Sequence, residues 1–470
     1  MRQEARSFSE TRIAAPRERL RLHLDPNLRW KATWTALIIG AMSASYVRVG
    51  AQLYVAEVLL TLLAVIALAS PERLPLPRWI PWTLGAWATV SLVSDLAAGS
   101  GMIDSLKGIL RVFMVTTCTI ALVHMFAKDR ATVRWLWGGT AIAGVIAYVL
   151  QPDVYAAVQP WKFGLGMPVT MAVIVAVSAR RRFDALGAAM IMALAVAHFA
   201  LGFRTMAIVC AITVMLLIVA RTHQDGLPRR AWFRLATVGA IAVMATVAVV
   251  GLWDQLARSG SLGTDATAKA STLDGQYGTI LGSRSEVLIA ALSITHDPVL
   301  GVGTGGTPAA VVDNFAAQLY ETLGYSYVSD RITEGRALFH SMALGTVAEN
   351  GLITLAFWAG FVVLVIRALA MVLAGSARFP VLATFLSVLA LWDTFFSPFG
   401  AERRFWVAAT IATLLVATRQ IGDDHDHDVG RDSVDEPARV PPALRRERAE
   451  PASRWRRAHR DGPGFERWLP

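Results

Sequence analysis

Charge is scarce in this sequence. Asp, Glu, Lys and Arg make up 17% of its 470 residues, against about 25% in ordinary soluble domains. That shortage argues against the two or three water-exposed domains usual at this length. Cysteine is scarcer still: Cys118 and Cys210 are the only two, and both sit inside apolar runs. A disulfide framework is thereby excluded, and both thiols read as small core residues. No tandem repeat punctuates the chain, which removes solenoid architectures.

What the sequence has in quantity is apolar surface. Hydrophobic residues account for 54% of it, and they come in long runs such as 235–252 and 351–369. A run of about 20 apolar residues crosses the ~30 Å hydrocarbon core of a bilayer. In lipid every backbone polar group must be satisfied within its own segment, so the expected fold is an all-α polytopic membrane protein. Twelve candidate spans follow: 32–47, 51–69, 79–97, 106–126, 132–150, 163–179, 185–201, 204–220, 232–252, 345–370, 380–396 and 403–418.

The cations order these spans. With the N-terminus in the cytoplasm, the even-numbered connections carry Arg73 and Arg78; Lys128, Arg130 and Arg134; Arg180, Arg181 and Arg182; Arg221, Arg229, Arg230 and Arg234; and Arg367 and Arg378. The outer connections carry mainly isolated cations, Arg48, Lys107, Lys162 and Arg204, then Arg403 and Arg404. The positive-inside rule therefore places both termini in the cytoplasm. The net charge of +10 reads as topological charge beside anionic lipid and not as a nucleic-acid surface. The expected organisation is a basic cytoplasmic tail (1–31), nine spans (32–252), a large extracytoplasmic loop between spans 9 and 10 (253–344), three spans (345–418) and a disordered cytoplasmic tail (419–470). Long ordered loops are usually functional.

The informative words lie in that loop. They are Gly282-Ser283-Arg284, then Pro298-Val299-Leu300-Gly301-Val302-Gly303, then His340-Ser341, leading into Glu349-Asn350-Gly351. Upstream, Phe203-Arg204-Thr205 opens a span. Over about 160–365 this pattern resembles the O-antigen ligase and O-antigen polymerase group of bacterial membrane glycosyltransferases, whose members carry S-G-R, P-x-x-G-x-G, H-N and E-x-G-x-x-G words and a Ser-Arg at the head of a span. Phe203 stands where that serine is usual, and Ser341 where the asparagine is usual.

The resemblance implies a donor in which a glycan is linked to a polyprenyl diphosphate. It implies an acceptor hydroxyl on a glycan, lipid or protein at the outer face of the bacterial inner membrane. It implies no cofactor, metal or nucleotide sugar, and the loop's lack of a D-x-D carboxylate cluster agrees. Arginine suits a diphosphate because its planar fork donates paired hydrogen bonds and stays charged. Arg204 and Arg284 are the expected grip, worth a few kcal/mol per donor as charge develops on the leaving group. The bland alternatives are snorkelling to headgroups for Arg204 and a solvated loop charge for Arg284. His340 sits where the loop re-enters the membrane, and the resemblance implies that it accepts the acceptor's proton. Arg111 is open between an ion pair with Asp95 or Asp393 and a place in the diphosphate site. Ligase and polymerase differ only in acceptor and stay unseparated. The rivals from other classes are a transporter or flippase, against which the spans show no paired repeats, and a non-catalytic scaffold.

Other signals count for less. Gly301–Gly306 matches G-x-G-x-x-G, with Glu321 at a suitable distance, but a dinucleotide site needs a βαβ unit, so Gly301 and Gly303 read as a backbone turn. The Asp and His residues at 424–428 sit in a charged tail and read as solvated. His296 and Asp297 are expected to cap or orient a loop helix, and His124 and His198 to be satisfied packing residues.

Overall fold

A computed structural model describes residues 26–44, 53–71, 74–152, 154–180, 183–222, 228–261, 263–264, 267, 285–322 and 339–418. Among them all regular elements are helices and none is a strand. In chain order the helices are α1 (Pro26–Ala44), α2 (Val55–Ala69), α3 (Trp79–Ala98), α4 (Met102–Lys128), α5 (Thr132–Leu150), α6 (Val154–Val158), a wide π-type turn (Pro160–Leu165), α7 (Gly166–Ser178), α8 (Ala185–Ala200), α9 (Arg204–Thr222) and α10 (Pro228–Arg258). There follow α11 (Ser285–His296), α12 (Ala310–Thr322), α13 (Met342–Asn350), a 3-10 turn (Leu352–Thr354), α14 (Leu355–Leu373), α15 (Pro380–Phe396) and α16 (Ala401–Ala417).

Among the described residues, five helical segments are long and apolar enough to cross a membrane: Met102–Lys128, Thr132–Leu150, Pro160–Ser178, Arg204–Arg221 and Leu352–Leu373. Three more apolar helices, Val55–Ala69, Ala185–Ala200 and Pro380–Phe396, are shorter; at 1.5 Å per residue they reach roughly 23–26 Å. Their outward faces suit lipid. Leu62, Val65, Ile66 and Leu68 of α2 are 58–63% exposed, a contiguous apolar stripe that water would penalise. Inward, Trp87, Phe357, Trp358, Phe361 and Phe385 are fully buried in one aromatic-rich core.

Local chemistry sets the helix ends. Pro26, Pro228 and Pro380 open helices at first-turn positions, where a missing N–H costs nothing. Asp184 caps α8 by accepting the Gly187 N–H at 2.8 Å. Between α1 and α5 the packing is backbone on backbone: a Cβ on Gly40 would overlap the Leu136 carbonyl, and one on Gly139 the Leu37 carbonyl. Ser43 and Thr140 hydroxyls meet at 3.3 Å in the same seam, the small-residue pairing that brings membrane helices close.

One expected span is broken. The apolar run 345–370 is not a single helix: α13 stops at Asn350, and Gly351 adopts φ +81° before α14 begins. The reason lies in the loop that docks there, described below. The helix carrying 232–252 runs on to Arg258, beyond the expected loop boundary.

Short connections make successive helices antiparallel, and polar contacts gather at one end of the bundle. Glu57 of α2 and Arg404 of α16 form a buried ion pair there, with side chains 1% and 3% exposed. Arg404 Nη2 donates to Glu57 Oε2 at 2.8 Å, and the Tyr54 N–H donates to the same oxygen at 3.1 Å. Asp393 takes Ser397 Oγ at 2.6 Å and Arg403 Nη1 at 2.8 Å. Arg403 and Arg404 are thus paired within the bundle, not isolated loop cations as their position in the sequence suggests.

Candidate functional site

Two of the loop words, Pro298–Gly303 and Glu349–Gly351, fold against one another. The last carbonyls of any helix lack intrahelical partners, and those of α13 are met by the Pro298–Gly303 turn. The Val302 N–H donates to Ala348 O at 2.9 Å, and the Gly303 N–H to Glu349 O at 2.8 Å. In return the Leu352 N–H donates to Pro298 O at 2.9 Å. Ser94 of α3 adds a hydroxyl donor to Glu349 O at 2.9 Å. Two glycines make the approach possible. Gly301 has φ +70° and Gly351 φ +81°; a Cβ on the first would overlap Ala348 O, and one on the second Val299 O. The P-x-x-G-x-G and E-x-G words are therefore two halves of one backbone latch.

Asp95 ties the latch to α3. It is 2% exposed and accepts the Thr304 N–H at 2.6 Å and the Thr304 hydroxyl at 3.2 Å. The G-x-G-x-x-G segment thus connects α11 to α12 as a turn, with no strand before it among the described residues.

Arg111 of α4 meets the latch from below. Its Nη1 donates to Glu349 Oε2 at 2.5 Å, the two side chains being 18% and 12% exposed. Its guanidinium lies 5.5 Å from the centroid of the Phe399 ring. This corrects both expected ion-pair partners: Asp95 is occupied by Thr304, and Asp393 by Ser397 and Arg403. A continuous helix over 345–370 gives no reason to turn Glu349 toward Arg111, whereas the break after Asn350 does.

His340 is held from both sides. Phe339 before it is buried with Ile289, Ala290, Ala316 and Ala348 in a small core under the loop helices. Ser341 after it caps α13, accepting the Leu344 N–H at 3.1 Å and donating to Thr394 O at 3.1 Å. Ser341 thus serves as the cap of this helix. The nine residues of α13 separate His340 from Glu349 by roughly 13 Å of helix.

Arg204 is the first residue of α9, and its guanidinium stacks on the Trp253 ring at 3.6 Å. Phe203 packs edge-on to His198, with centroids 5.4 Å apart. His198 has both ring nitrogens engaged, by Trp161 Nε1 at 2.9 Å and Thr170 Oγ1 at 2.7 Å, as a packing residue should. His296 Nδ1 meets Asp297 Oδ2 at 2.8 Å at the exposed end of α11. Arg284 and the residues at 424–428 lie outside the described residues.

Arg111, Arg204 and His340 therefore share one end of the bundle, and the latch joins Arg111 to the loop. The Glu57–Arg404 and Arg111–Glu349 pairs escape a reading of the sequence, although an acid inside an apolar segment is itself the signal that a cation must be sought for it. Together these features define a helical membrane-type bundle with a polar, arginine-bearing end. Comparison with known proteins returns no matching family model, no matching curated protein and no matching solved structure.

Proposed function

We propose that this chain is a membrane glycosyltransferase of the O-antigen ligase kind, moving a glycan from a polyprenyl-diphosphate carrier to an acceptor hydroxyl. In this reading the chain crosses a bacterial inner membrane about twelve times, both termini are cytoplasmic, and the 253–344 loop lies outside. The observation that supports it best is the latch: two of the words that carry the family resemblance are bonded to each other at 2.8–2.9 Å, with Arg111 locked at their junction.

The acceptor oxygen attacks the first carbon of the donor glycan. The bond from that carbon to the diphosphate oxygen breaks, and its electron pair leaves with the lipid diphosphate. His340 takes the acceptor's proton. Arg204 and Arg284 bind the phosphate oxygens and stabilise the charge that develops on them. Arg111, at the far end of α13 from His340, takes the part of the donor that points away from the acceptor. The energy comes from the donor's own diphosphate linkage, so the reaction needs no nucleotide sugar. A polymerase of the same family differs only in using another repeat unit as acceptor.

The test is purified protein with a lipid-diphosphate glycan and candidate acceptors, scored for released lipid diphosphate and for the chain length of the product. His340→Ala is expected to abolish transfer while thermal stability and donor binding persist. Near-normal transfer by that variant refutes the role given to His340. Export of intact donor without release of lipid diphosphate replaces the whole reading with transport.

A further inference from the structure

The acidic side chains at the polar end of the bundle differ in how fully they are satisfied. Asp95 has both oxygens bonded by Thr304. Asp393 has Ser397 on one oxygen and Arg403 on the other. Glu57 meets two guanidinium nitrogens and a backbone N–H. Glu57 Oε1 nevertheless accepts no hydrogen bond, and the Arg111–Glu349 pair is bonded more sparingly still. One bond, Nη1 to Oε2, joins the two side chains, and neither makes another hydrogen bond among the described residues. Phe399 covers the guanidinium.

A guanidinium presents several N–H donors in a planar fork. Arg111 commits one donor and one face, and the edge formed by Nε and Nη2 meets no acceptor among the described residues. It is not a loose surface arginine, since its side chain is only 18% exposed. Its partner stands on backbone that cannot swing: Glu349 O is bonded by both Gly303 and Ser94, and Gly351 fixes the chain immediately after. An under-coordinated fork on a rigid mount matches an anion with two oxygens on one phosphorus.

We propose that Glu349 is a positioning residue that sets the strength of a phosphate site at Arg111. Its carboxylate fixes Nη1 and so aims the uncommitted edge, and its charge offsets that of Arg111 so that the anion is held but released. The ligand class is a phosphate or diphosphate ester carried on a lipid. This deepens the donor-binding reading above and rests on it. Glutamine in place of Glu349 retains an oxygen that accepts from Nη1 and removes the charge that repels the anion. Binding should then tighten, and departure of the lipid diphosphate should slow.

The experiment uses full-length protein in phosphatidylcholine nanodiscs titrated with undecaprenyl diphosphate. Parallel arms replace that probe with increasing phosphatidylglycerol. Glu349→Gln is expected to bind undecaprenyl diphosphate about tenfold tighter than the native chain, the change that one like charge removed at close range can produce. In transfer assays its kcat and KM should fall together, a pattern that a merely structural role does not create. A gain that tracks phosphatidylglycerol instead assigns the same phosphate chemistry to a headgroup. Equal or weaker binding of both probes overturns the proposal. Should Glu349→Gln lower the thermal midpoint, Arg111→Lys carries the test. It keeps the ion pair and loses the fork, so severalfold weaker binding is expected and unchanged binding overturns the proposal. If the native chain binds no undecaprenyl diphosphate, the donor reading itself fails; if it binds and Glu349→Gln binds no tighter, only the role of Glu349 fails.

Discussion

Replacing Gly351 with alanine tests the latch at its tightest point. Gly351 has φ +81° and ψ 173°, a region that is essentially reserved for glycine and costs other residues of order 1–3 kcal/mol. The new methyl also overlaps the Val299 carbonyl oxygen, with the Val299 carbonyl carbon at 2.5 Å and the Leu300 nitrogen at 2.9 Å. These are backbone atoms, so no rotamer change relieves the clash. The turn must lift away, which gives up the Leu352 N–H bond to Pro298 and strains the two bonds from Val302 and Gly303. Each such bond is worth about 1 kcal/mol net. Strain and lost bonds together come to about 3–5 kcal/mol.

Gly375→Ala supplies the comparison. Gly375 also has a positive φ, +69°, but a Cβ there meets nothing within 4 Å. Its cost is conformational only, roughly 1–2 kcal/mol. The assay is the thermal unfolding midpoint of the two purified variants in one detergent, with the proposed transfer activity measured beside it. Gly351→Ala should unfold at the lower temperature, and its activity should fall further than loss of folded protein explains, because Glu349 moves with the latch. Equal midpoints refute the argument that backbone contact, and not dihedral preference alone, demands glycine at 351.

The regular part of the fold was legible because it depends on local composition. Apolar runs and flanking cations mark α4, α5, α9 and α15 to within a few residues of their observed ends. Broken regularity is different. The run 345–370 carries no proline and reads as one apolar helix, yet it breaks at Gly351. The cause is distant in sequence: Pro298 and Val302 supply the groups that complete the end of α13. A glycine in an apolar run looks the same whether it packs against a neighbour or takes a positive φ.

The site was legible in residue types and not in partners. Arg111 announces itself as a cation within an apolar segment, and Glu349 belongs to a recognisable word. Joining them requires knowing that α13 ends at Asn350. Asp95 and Asp393 looked equally suitable as partners because sequence gives helix depth and not helix rotation. Thr304 and Arg403 take them only because the loop and the α15–α16 connection fold back over the same end of the bundle. Conversely, the aromatic at 203 was visible in the sequence, and its packing on His198 gives it a structural role.

Two further predictions concern charge away from the latch. The Asp184 carboxyl is held below the ordinary carboxylate range, chiefly by the Gly187 N–H and then by Arg180. A depressed folded value means that its contribution is complete above the ordinary range and fades as pH falls through it, so over about pH 6 to 3 the thermal midpoint of Asp184→Ala should fall less steeply than that of the native chain; parallel curves refute this. The Glu57–Arg404 pair makes the sharper case. Removing one partner with Glu57→Gln leaves a guanidinium that is 3% exposed without its counter-charge, a loss of about 3–5 kcal/mol for a buried pair. Glu57→Leu with Arg404→Met removes both charges at once, so no buried ion is left uncompensated and much of the lost stability should return. Midpoints measured for the single and double variants decide between two roles. Recovery in the double variant means that the pair matters for neutrality inside the bundle. A double variant as unstable as the single one means that the directed bonds from Arg404 to Glu57 hold the start of α16 against α2, and that shape-matched apolar groups cannot replace them.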